Sequence, residues 1–185
     1  MVPKSFYTPA VDPTIQWAKV ACCPDCNDEF QKDEAHFKAI LTLAGPTLTS
    51  ERVALWNGVK RSFSNPVSGV GDRRAIANEL VPVIHDGRLR FKVYPGKDER
   101  VVRIVKKIVR GLCVYKQIFQ PPVLEERVWA QVMTTPIPSE VENDFHSVYQ
   151  VPNLVLCRAD FRTLHVHSAW IVRLLNVPFI ALIRK

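Results

Sequence analysis

Apolar positions along this chain recur first at helical spacing and later alternate. After Cys26, Phe30, Phe37, Ile40, Leu41 and Ala44 share one side of a helix, and Gly45-Pro46 stops it. A second helix is predicted from Ser50 to about Phe63, with Val53, Trp56, Val59 and Phe63 as its buried stripe and Thr49 or Ser50 as N-cap. Ser64 to Asp72 carries the Asn-Pro and Gly signals of a loop, and a short helix follows from Asp72 to Leu80. The period then changes: Leu89, Phe91 and Val93 alternate with Arg88, Arg90 and Lys92, the mark of a half-buried strand over Arg88 to Tyr94. Asp98 can cap a helix running to about Leu112, with Val101, Ile104, Val105, Ile108, Val109 and Leu112 inward.

Pro121-Pro122 closes that section, and the last third reads as strands. They cover about Val128 to Met133, Leu154 to Arg158, Leu164 to Leu174 and Val177 to Ile183. The Asn176-Val177-Pro178 step suggests a hairpin turn outside the strong two-residue types. The first 20 residues, broken by Pro3, Pro9 and Pro13, are extended or loop. The order predicts an α+β fold in three stretches: residues 1–45 with a cysteine-pair loop and helix, 46–122 mainly helical with one strand, and 123–185 an antiparallel sheet.

Composition narrows the function classes. With 47% hydrophobic and 23% charged residues among 185, the chain is globular rather than disordered. No stretch reaches the ~18 apolar residues of a membrane span, and the start lacks the apolar block of a secretory signal, so a cytoplasmic location is expected. Five cysteines, with Cys22, Cys23 and Cys26 crowded together, argue against a disulfide framework. A net charge of +7 favours polyanionic partners such as nucleic acid. Arg103, Lys106, Lys107 and Arg110 on the outer face of the Asp98–Leu112 helix, with Arg88, Arg90 and Lys92, could track a phosphate backbone; a merely solvated face is the competing reading.

Cys23-Pro24-Asp25-Cys26 carries the clearest candidate chemistry. Two thiolates at this spacing can take adjacent vertices of a tetrahedral zinc site. The chain holds no second C-x-x-C, Cys113 and Cys157 lie far off in apolar segments, and His36 is ten residues past Cys26. A redox pair would need a thioredoxin-like βαβ setting, which this region lacks. His165 and His167, with His146 if the strands pair, have a spacing used by some metal sites; the alternative is the wetter face of a sheet.

The segment from Val20 to Glu34, VACCPDCNDEFQKDE, resembles a branch of the HNH endonuclease superfamily, in which a strand leads into C-x-x-C-N and a helix with a Lys-Asp-Glu step. Leu55-Trp56 with Val59 and Arg61-Ser62, and Val105 to Leu112, fit the same branch, so the likeness runs from about residue 1 to residue 120. It implies a DNA-directed nuclease with Cys23 and Cys26 as half of a structural zinc site, Asn27 where the last HNH residue belongs, and magnesium as the catalytic metal that an amide oxygen suits. Asp28, Asp33 and Glu34 could assist that metal or form a solvated acidic first turn. The middle position falls on Ala18 or Lys19, and Met1 to Phe6 resembles what directly follows the catalytic histidine. The resemblance therefore implies an HNH-like protein that is incomplete and catalytically impaired. The alternative is a non-catalytic nucleic-acid-binding or interaction protein using the basic helix face.

Overall fold

A computed structural model describes residues 18–21, 24–44, 49–67, 69–162 and 165–185. Five helices are present among them: α1 (Pro24–Ala44), α2 (Ser50–Phe63), α3 (Gly69–Asn78), α4 (Glu99–Tyr115) and the short α5 (Ser139–Asn143). The strands are β1 (Val81–His85), β2 (Arg88–Lys92), β3 (Val128–Val132), β4 (His146–Val151), β5 (Val155–Asp160), β6 (Val166–Leu174) and β7 (Val177–Arg184). The architecture is α+β, with helices in the first half and a five-stranded antiparallel sheet at the end, in the order β3-β7-β6-β5-β4.

Amphipathicity and caps explain the helices. In α4 the inward residues Val101, Ile104, Val105, Ile108 and Val109 are each 0% exposed, so its stripe fills the space between α1 and the sheet. Asp98 caps it, its carboxylate accepting from the Arg100 N–H at 3.0 Å. Thr49 is the N-cap of α2, accepting from the Arg52 N–H at 3.2 Å. The buried Arg52 then donates from Nε to the Thr42 carbonyl at 2.7 Å, closing the C-terminal turn of α1. The Gly45-Pro46 stop lies outside the described residues.

On its inner face the sheet presents Trp170, Val172 and Leu174 of β6, registered against Ala159, Cys157 and Val155 of β5 and against Ala181, Phe179 and Val177 of β7. All nine are buried, and one apolar cluster joins this layer to α4, α1 and α2. Burial pushes the thiols of Cys113 on α4 and Cys157 on β5 up to about 12. On the outer face, Glu142 of α5 accepts from Arg173 Nη2 at 2.7 Å and pairs with Arg158 at 3.4 Å.

Several expectations need correction. Helix α3 starts at Gly69 rather than Asp72, because a glycine there lets it abut the end of α2. A Cβ at that position would stand 2.5 Å from the Phe63 carbonyl oxygen. The β6–β7 turn is a two-residue Leu175-Asn176 turn with φ of 50° and 64°, the type I′ pattern. Leucine is a poor residue for that conformation; burial at 3% exposure and a 2.9 Å bond from its N–H to the Leu154 carbonyl hold it there. Strand β4 and helix α5 add to the elements that the periodicity predicts.

The largest departure is the strand over Arg88 to Tyr94. It ends at Lys92, and it pairs with β1 in a separate two-stranded ribbon rather than lying half-buried on a sheet. Leu89 is 61% exposed and Phe91 59%. The alternation is real, but among the described residues no element covers the face it creates; only Val93, beyond the strand, is buried.

Candidate functional site

Asp86 and Gly87, both at positive φ, turn β1 into β2. Directly opposed residues share a face, so the register separates two surfaces. Pro82, Ile84, Leu89 and Phe91 form an apolar face, while Val81, Val83 and His85 lie opposite Lys92, Arg90 and Arg88 on the other. The three cations are exposed and have no ion-pair partner among the described residues. The nearby acid, Asp86, stands 3.7 Å from His85.

The cations of α4 have a different fate. Arg103 bonds Asp33 at 3.1 Å and also Glu29, and Lys107 bonds Glu34 at 2.7 Å. Phe30 lies beneath both, 4.5 Å from the Arg103 guanidinium and 4.1 Å from the Lys107 ammonium. Arg110 donates to the Val123 carbonyl at 3.0 Å and to Glu125 at 3.2 Å. Of the four residues expected to meet phosphate, Lys106 alone has no carboxylate partner among the described residues. Asp33 and Glu34 are thus neither a metal shell nor a solvated first turn: they are the acidic half of the α1–α4 contact, and Asp33 is buried.

The residues singled out by the HNH likeness are less informative. Cys23 and the Cys26 side chain lie outside what the structure describes, and Asn27 and Asp28 are exposed near the start of α1. Ala18 is buried and its N–H donates to the Tyr149 hydroxyl at 3.3 Å, docking the approach to α1 on β4; Lys19 is exposed. The three histidines are not brought together. His146 pairs with Ala159 on β5, which lies between β4 and β6, and His167 rests against Phe119 with ring centroids 5.6 Å apart.

A group that the sequence does not suggest sits where α1, α3 and α4 meet. His36 Nε2 bonds the carboxylate of Asp98, and both are buried. Arg100 bridges Asp98 at 3.5 Å and Glu79 at 3.7 Å. Burial alone would raise the Asp98 pKa; the bond from His36, the charges of His36 and Arg100 and the Arg100 N–H outweigh it and hold the carboxyl below its ordinary 3.8. Ligand atoms of His36, Glu79 and Asp98 lie within 4.8 Å of one another, a spacing a metal ion could span. The charge balance does not fit one, because Arg100 already supplies the positive charge between the two carboxylates and would repel a divalent cation. The group is a polar joint that fixes the first turn of α4 against α1.

Among the described residues no helix is long and apolar enough to cross a membrane. Comparison with protein-family models, curated proteins and solved structures gives no match.

Proposed function

We propose that this chain binds nucleic acid without catalysing a reaction on it, through the cationic face of the β1–β2 ribbon. The observation that supports this reading is the row of Arg88, Arg90 and Lys92, exposed and unpaired among the described residues, on a ribbon open to solvent on both faces. Along a strand these side chains recur every ~6.8 Å. B-form DNA presents one phosphate per ~3.4 Å of each strand, and its ~12 Å major groove admits a two-stranded ribbon. The opposite face, with Leu89 and Phe91, offers apolar contact to base edges or unstacked bases. The net charge of +7 supplies the long-range attraction.

This reading keeps the nucleic-acid-binding alternative but moves it from the α4 face, where Arg103, Lys107 and Arg110 are paired, to the ribbon, whose cations are exposed. The one cluster of His, Asp and Glu side chains among the described residues, His36, Glu79 and Asp98, is bridged by Arg100, which disfavours a divalent cation there.

Anisotropy of a labelled 20-mer duplex and its single strand, titrated across salt concentrations, tests the proposal. The slope of log K against log salt should fall in magnitude by about 3 in an Arg88→Ala/Arg90→Ala/Lys92→Ala variant, close to one counterion for each phosphate no longer neutralised. An unchanged slope sinks the reading.

A further inference from the structure

A cavity of about 470 Å³ opens between α1, α2 and α3, with Arg100 of α4 at one side. Small residues cause it: Ala35 and Ala39 on α1, Gly58 on α2 and Ala75 on α3 leave the helices in contact but their interface unfilled. The volume falls in the ~300–1,000 Å³ range of small-molecule sites. Val59 and Ile76, both buried, give it an apolar floor.

Its polar groups are unbalanced. Lys32 and Lys38 line the cavity and have no ion-pair partner among the described residues. Lys38 is half-buried, and its Nζ lies 3.1 Å from where a Cβ on residue 58 would stand, so Gly58 makes room for the ammonium. Burial, then repulsion from Arg61, lowers the Lys38 pKa, the mark of a cation short of a counter-ion. The acid in the lining, Asp72, accepts from the Ser62 hydroxyl at 3.3 Å instead of pairing with either lysine. Arg100 is engaged by Asp98 and Glu79.

We propose that this cavity binds a small amphipathic anion, its carboxylate or phosphate head on Lys38 and its apolar body against Ala39, Val59 and Ile76. The anion supplies the counter-charge that Lys38 lacks, and its chain fills the space the small residues leave. This site is independent of the ribbon, and neither reading needs the other.

Octanoate and octyl phosphate, each titrated into the full chain, are the probes, with octanol as the neutral control. Calorimetry should show one saturable site for at least one anion, and the tighter of the two names the head group. Lys38→Met, which keeps the stem and removes the charge, should weaken binding at least tenfold. Amide chemical shifts should move at Gly58, Ala39 and Ile76. Absence of binding by both anions overturns the proposal, as does equal binding of octanol, unchanged affinity in the lysine variant, or shifts confined to Ile84, Leu89 and Phe91 of the ribbon.

Discussion

The two arginine- and lysine-rich surfaces are alike in composition and opposite in use. On α4, Arg103, Lys107 and Arg110 are turned to the acidic residues of α1 and to Glu125, with Phe30 beneath two of them. On the ribbon, Arg88, Arg90 and Lys92 face solvent. The first set contributes to folding, and its charge is satisfied inside the molecule. The second has no carboxylate partner among the described residues, and on the function proposed above its charge is left for nucleic acid. A count of cations cannot separate the two, because what matters is where the carboxylates lie.

Substitutions can sharpen or break this contrast. The largest effect is expected at Asp98, where Asp98→Ala removes the cap of α4 and leaves His36 buried without its partner. A cap is worth ~1 kcal/mol and an unpaired buried polar group ~1–3. A loss of about 3 kcal/mol in urea unfolding is expected at neutral pH. Because the Asp98 pKa is lowered in the fold, its contribution is present above 3.8 and lost as pH falls through the folded value. The difference between wild type and Asp98→Asn should therefore shrink on acidification below that point; a constant difference would show that the carboxylate charge is irrelevant.

Next comes Lys107→Glu, which places like charges at the contact with Glu34 and removes one of the two cations over Phe30. It should cost about 1–2 kcal/mol, and the charge-swapped double variant Lys107→Glu/Glu34→Lys should recover much of it in a double-mutant cycle. Additive effects would deny the pairing. Smallest is the ribbon: the triple alanine variant that lowers the salt slope should leave unfolding free energy within about 0.5 kcal/mol of wild type. A larger loss would mean that the ribbon is part of the fold's support, and the contrast would fail.

The elements are largely legible in the sequence and the contacts between them are not. Helix α4 can be read because Val101 through Leu112 keep one period and Asp98 precedes them. The β1–β2 turn carries a signal too, since Asp86-Gly87 is the strong two-residue hairpin pair; Pro82 masks the strand before it, because proline inside a run argues against a strand. Alternation at Leu89 and Phe91 assigns them a common face, but it cannot say whether anything covers that face. His36 invites comparison with Cys26 because they are neighbours in sequence; its partner Asp98 is 62 positions away. Likewise, Asp33 and Glu34 find their cations 70 and 73 positions downstream, a pairing that only the packing of α1 on α4 brings about.

The two deeply buried thiols carry a further consequence. Cys113 sits on α4 and Cys157 on the sheet it covers, and with pKa values near 12 both are almost wholly protonated at neutral pH. Thiolate is the nucleophile, so neither sulfur is open to alkylation while the layers stay closed. The protein thus contains a native gauge on each side of its helix–sheet seam, and alkylation of the two thiols together would record the opening of that seam.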